Sequence, residues 1–130
     1  MKTLNGMTNQ QIFDASVSAL LTQGSKSWGV ERGGCAYRGD GGTKCAIGIL
    51  MDDDVYDPLY DDKDIGGSVH KMYIEFPRFK TFVGGVDLTF LSCLQDIHDD
   101  AGTGEFFVFD LKRRAKTLAD QFNLNGSVAL

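Results

Sequence analysis

A mostly helical α+β domain built around one Gly-rich β-hairpin is the fold class this sequence predicts, and three observations predict it. Apolar residues recur at helical spacing near the N-terminus and again twice in the last third of the chain. Between these stretches, Cys35-Ala36-Tyr37-Arg38-Gly39-Asp40-Gly41-Gly42-Thr43-Lys44-Cys45 carries Asp-Gly turn chemistry, which accepts positive φ at little cost. The length of 130 residues supplies enough buried surface for one core, so residues 1–130 are read as a single domain.

The first helix is signalled by Thr8-Asn9-Gln10-Gln11, a capping-box pattern in which the hydroxyl accepts one orphan N–H and the Gln returns to the cap. Ile12, Phe13, Ser16, Val17, Leu20 and Leu21 follow on one face, and Gly24 is a left-handed stop, giving a helix over residues 9–23. Ser25 to Gly34 mixes charge and glycine around the single tryptophan, Trp28, and reads as loop. The hairpin follows. A three-residue turn would pair Arg38 with Gly42 and set Cys35 opposite Cys45, whereas a two-residue turn would set Ala36 there. A short helix capped by Thr43 and running to Met51 is the competing reading of the second arm.

Asp52 to Asp64 holds seven aspartates against one lysine, interrupted by Val55, Tyr56, Pro58, Leu59 and Tyr60, a turn-rich acidic stretch. Met72, Ile74 and Phe76 alternate with Tyr73 and Glu75 as a short strand would. Asp87 caps a helix whose Leu88, Leu91, Leu94 or Gln95, and His98 share a face, with Phe90, Ile97 and Ala101 widening the stripe, and Gly102-Thr103-Gly104 breaks it. Val108, Leu111, Ala115, Leu118 and Phe122 then mark a last amphipathic helix, to pair with the one before.

Composition narrows the function classes. A net charge of −5 argues against direct nucleic-acid binding and against anionic membranes, because both need clustered cations, and it points to a partner with a basic surface. No apolar run reaches a bilayer span, and no apolar core follows Met1–Gly6 to make a signal peptide, so a cytoplasmic place is expected. Three cysteines, an odd number, then read as thiols.

Four sets of residues carry chemistry. Cys45, His98 and Asp99 or Asp100 have the residue types of a thiol nucleophile, its base and an orienting carboxylate, while Cys45 before Ala46-Ile47-Gly48 reads equally as a small core residue. Cys35, Cys45, Cys93, His70 and His98 lack the close pairs of structural zinc, and the aspartate run lacks the alternate-ligand spacing of a calcium loop, so neither metal nor cofactor is expected. Tyr37, Arg38 and Lys44 around the glycine turn could present cations and amides to a small anionic ligand or nucleotide, without Walker spacing. Asp52, Asp53, Asp54, Tyr56, Asp57 and Tyr60 form an acidic face suited to a basic partner, or simply a solvated one.

The order Cys, Tyr-Arg, Gly-x-Lys-Cys-Ala-x-Gly, Asp-x-x-Tyr-Asp-Pro, here Cys35 through Pro58, with Leu94-Gln95 and His98-Asp99 later, resembles a group of short, uncharacterised proteins carried by tailed bacteriophages and some bacterial genomes. The resemblance covers most of the chain and brings no activity with it. It implies a host-directed binding protein acting inside the bacterium, such as an inhibitor of a defence or nucleic-acid enzyme, whose acidic face stands in for nucleic-acid phosphates. A thiol enzyme using Cys45 and His98, and a small-ligand binder at the hairpin, are the alternatives.

Overall fold

A computed structural model describes all residues, Met1–Leu130. Five helices carry the fold: α1 (Asn9–Gln23), α2 (Val69–Glu75), α3 (Pro77–Val83), α4 (Leu88–Asp99) and α5 (Phe106–Gln121). The single sheet pairs β1 (Trp28–Gly29) with β2 (Gly34–Cys35) antiparallel, Trp28 opposite Cys35. The molecule is thus mostly helical with a small antiparallel hairpin, and no helix is long and apolar enough to cross a membrane.

α1 begins as its sequence requires. The Gln11 N–H donates to Thr8 Oγ1 at 3.1 Å, the Thr8 N–H donates to Gln11 Oε1 at 2.9 Å, and Gly24 ends the helix at φ 71°. Its inner face docks on the segment after the glycine turn, where buried Ser16 donates to the Ala46 carbonyl at 2.7 Å and Gln23 exchanges two bonds with the Lys44 backbone. A buried hydroxyl is tolerated there because its hydrogen bond is made.

The two-stranded ladder lies in the segment expected to be loop, closed by Val30–Gly33 with Gly33 at φ 73°. The glycine-rich reversal contains one isolated bridge, Arg38 opposite Lys44, around a 3₁₀ turn at Asp40–Gly42. Gly41 and Gly42 take φ 71° and 77°, the conformations their sequence implies. The register matches neither expected alternative: the Cys45 N–H donates to the Tyr37 carbonyl at 3.4 Å, so Tyr37, not Cys35 or Ala36, faces Cys45. The second arm then forms a 3₁₀ turn at Gly48–Leu50 rather than a helix from Thr43.

The strand expected at Met72–Phe76 is helical as far as Glu75. Ser68 caps α2 by accepting the Lys71 N–H, and Pro77 forces Phe76 into an extended conformation, which ends α2 and starts α3 at once. Asp87 caps α4 through the Thr89 N–H at 2.9 Å, and α4 packs on both α2 and α5. Twenty-eight buried residues form one contiguous cluster. Tyr37, Tyr60 and Phe79 within it, with Phe76 packed against it, meet edge to face at centroid distances of 4.9 to 6.2 Å, arrangements favoured by the ring quadrupoles, and Phe82 lies tilted on Phe79 at 6.1 Å.

Candidate functional site

The C-terminal end of α4 is wrapped by the β1–β2 segment, and this contact builds a buried polar cluster. His98 is fully buried. The Ser27 N–H donates to His98 Nε2 at 2.9 Å, so the network assigns the ring proton to Nδ1, which donates to Asp99 Oδ1 at 2.8 Å. Asp99 also accepts from Gln95 Nε2 at 3.1 Å, and Gln95 Oε1 accepts the Ile47 N–H at 3.1 Å. The Lys26 ammonium donates to the carbonyls of Asp99 and Ala101 at 2.7 and 2.8 Å, satisfying orphan acceptors at the negative end of the helix dipole.

Cys35, not Cys45, lies beside this pair. Its thiol donates weakly to the Asp99 carbonyl at 3.9 Å, and burial, with the Asp99 charge second, pushes its pKa up to about 11. Such a thiol stays protonated, the opposite of what a nucleophile requires. Cys45 is fully buried, its sulfur accepts the Gly48 N–H at 3.3 Å, and burial raises it to about 12. Both His98 nitrogens are occupied by Ser27 and Asp99, so His98 offers no free base to Cys45. The His98–Asp99 pair anticipated from sequence does form, but it orders a loop.

Cys35, His98 and Asp99 present a sulfur, a ring nitrogen and a carboxylate oxygen within 4.8 Å of one another. The donor set does not fit a metal. An ion on Nδ1 would require a hydrogen at Nε2, which would then face the Ser27 N–H, and an ion on Nε2 would meet that same N–H.

The acidic stretch is held by a second network. Asp61 accepts the Tyr37 N–H at 2.7 Å, the Arg38 N–H at 3.0 Å and the Tyr56 hydroxyl at 2.6 Å. Arg38 lies over the Tyr56 ring at 4.5 Å and pairs with Asp53 at 2.8 Å, a cation–π stack with a charged lid. Burial, then Asp61, raises the Tyr56 pKa. Asp52 accepts the Lys2 N–H, Asp54 pairs with the N-terminal ammonium at 3.4 Å, and Asp57 caps the turn at Pro58–Asp61.

Two of the anticipated contact residues are therefore corrected. Tyr60, expected on the acidic face, is fully buried with its hydroxyl on the Val55 carbonyl at 2.8 Å, because its ring fills the aromatic core. Tyr37, expected beside a ligand, is buried with its hydroxyl on the Gly67 carbonyl at 2.9 Å. Arg38 is committed to Asp53 and Tyr56, which leaves Lys44 as the one cation of the glycine turn outside any ion pair. Asp53 is 94% exposed, so its carboxylate reaches solvent while one oxygen pairs with Arg38.

Two depressions adjoin these networks, and Arg32 and Ala36 line both. A cavity of about 230 Å³ lies between Cys35, Tyr37 and α4, where burial and the neighbouring Asp100 and Asp99 raise the Asp96 pKa. An open groove of about 800 Å³ runs between the β1–β2 turn and the Tyr56–Lys63 segment, with exposed Val30 and Leu59 between acidic Glu31, Asp40 and Asp62 and basic Arg32, Arg38 and Lys63.

No family model, curated protein or solved structure matches this chain. Sequence reasoning passed over Cys35 as the partner of Asp99, Ser27 and Gln95 as its organisers, and Asp61 as the hub of the acidic stretch. No spacing signal marks them, since Cys35 and Asp99 are 64 positions apart. The Asp-rich context of Asp61 disguises a saturated carboxylate as one more solvated charge.

Proposed function

We propose that the chain is a small acidic binding protein, directed at a basic surface on a bacterial host protein, which it meets through the groove and the Asp52–Asp64 segment. The observation that carries this reading is the groove itself: about 800 Å³, open, with exposed Val30 and Leu59 inside a charged rim of four carboxylates and three cations, beside the acidic Asp52–Asp54 run. Apolar anchors inside a charged rim are the anatomy of a protein interface. Asp53 adds an exposed charge beside it, and the Asp61 network makes the rim rigid, so little entropy is lost on docking. The resemblance to tailed-phage proteins supports a host target and an inhibitory role, with the exposed carboxylates taking the place of nucleic-acid phosphates.

Affinity capture from a bacterial lysate, read by mass spectrometry, tests the reading when the parent is run beside Leu59→Asn and beside the Asp52, Asp53 and Asp54 to Asn triple variant. A specific protein should be held by the parent, lost with Leu59→Asn, and captured more slowly and with weaker salt dependence by the triple variant, because rim charges act through steering. The same protein retained equally by all three would overturn the reading.

A further inference from the structure

The exposed face of α5 is unlike the rest of this acidic molecule. Phe106 is 63% and Phe109 69% exposed, and with exposed Arg113 and Lys116 they step by three, four and three residues along one stripe. Phe107, Leu111, Ala115 and Leu118 fill the opposite, buried face, so the stripe is no part of the core. Residues 112–116 carry Lys112, Arg113, Arg114 and Lys116, four of the chain's 13 cations. The stripe spans about 15 Å, at 1.5 Å per residue.

We propose that this face docks on the groove and acidic segment of a second copy of the chain. The argument is charge and shape complementarity within one sequence. The stripe offers two aromatic anchors followed by cations, and the groove offers Val30 and Leu59 with an acidic flank of seven aspartates against one lysine over residues 52–64. Arg32, Arg38 and Lys63 line the groove too, so the attraction falls mainly on the Asp53 side, where a 94% exposed carboxylate that pairs with Arg38 can be shared with an incoming α5 cation. A polyanion such as nucleic acid or an anionic bilayer meets the same stripe but is opposed by the net charge of −5, whereas a second copy presents acid and apolar surface together. The two patches differ, so the contact is head-to-tail, and copies add in sequence or close into a ring.

The inference shares with the proposed function the premise that the groove is a contact face, but it needs no host protein. Sedimentation of the purified full chain is the test. The average mass should rise with concentration and return to that of one chain in about 1 M salt, where the Debye length is about 3 Å. Arg113→Glu with Lys116→Glu, a variant with an intact groove, should self-associate at least about tenfold more weakly. So should Asp53→Lys with Leu59→Asn, which keeps α5 intact. Mixed together, these two should yield a 1:1 heterodimer that grows no further, since one good α5 face and one good groove remain. Circular dichroism checks that both fold. A chain that stays monomeric at every concentration overturns the inference, as does a mixture without heterodimer or a monomer whose α5 face binds single-stranded DNA or phosphatidylserine vesicles. Host capture retained by the α5 variant would leave the functional reading standing even so.

Discussion

His98 shows how a hydrogen-bond inventory decides what a residue can do. An imidazole has two nitrogens, and here one accepts from Ser27 while the other donates to Asp99, so the ring works as a bracket between a loop and a helix end. His98→Ala should cost about 3 kcal/mol in urea unfolding, since it leaves a buried N–H and a carboxylate short of partners as well as a void. His98→Gln, which keeps polar atoms in the site, should cost less. Cys45 was legible from its neighbours Ala46-Ile47-Gly48 as a small core residue, whereas its separation from His98 was not, because sequence order carries no information about which thiol a folded helix end will meet. Native labelling with a thiol reagent near neutral pH should therefore modify partly exposed Cys93 first, reach Cys35 slowly because its thiol stays protonated, and leave Cys45 untouched until the protein unfolds. Rapid native labelling of Cys45 that disappears in His98→Gln would reverse the assignment and favour thiol chemistry.

At the scale of elements, local signals were readable where a cap preceded or closed a long amphipathic run. The Thr8–Gln11 box, the Gly24 stop and the Asp87 cap each place a helix end where the backbone has it, because each supplies a partner to an N–H or C=O that the helix cannot satisfy. The Met72–Phe76 segment failed because alternation over five residues fits a strand as well as a short amphipathic helix. There Ser68 and Pro77, a cap and a stop, outweigh the pattern. The glycine turn was readable in its chemistry and not in its register, which Asp61 sets from outside by binding two successive N–H groups. Two glycines separate the causes of rigidity there. Gly41 has open space around its α-carbon and φ 71°, so Gly41→Val pays only for backbone conformation, about 1 kcal/mol or more. Gly48 has ordinary φ, but a β-carbon there would collide with the Tyr37 carbonyl, so Gly48→Ala should cost about 3 kcal/mol or more by forcing the two arms apart. Thermal melts of the two variants should rank them in that order, and a Gly48→Ala protein as stable as the parent would show that the arms do not approach so closely.

For the whole molecule, Cys45 and Tyr37, which ordinarily titrate between pH 8 and 11, are locked inside the core, and Cys35 and Tyr56 lie partly buried in the loops that pin α4 and the acidic stretch. Cys45 is raised from 9.0 to about 12 and Cys35 from 9.0 to about 11, while Tyr37 and Tyr56 are also raised, each chiefly by burial. In every case the folded protein holds its proton more tightly than the unfolded chain. The stability this contributes is complete below the unfolded value and is lost as pH rises through the folded one, because the unfolded chain sheds protons that the native core retains. Cys45, with no exposure, and Tyr37, nearly as buried, carry most of this, and the rise of Cys45 from 9.0 to about 12 caps its own share at about 4 kcal/mol. Cys35 and Tyr56 reach solvent and count for less. The unfolding free energy should therefore hold steady through neutral pH and fall from about pH 9 upward. Cys45→Ala should begin lower, having lost packing in the core, but should decline more shallowly over the same range, so that the two curves converge as pH rises. Parallel curves would mean that Cys45 ionises in the folded protein as readily as in the unfolded chain, and the sealed contact between α1, the glycine turn and α4 would then have to be redrawn.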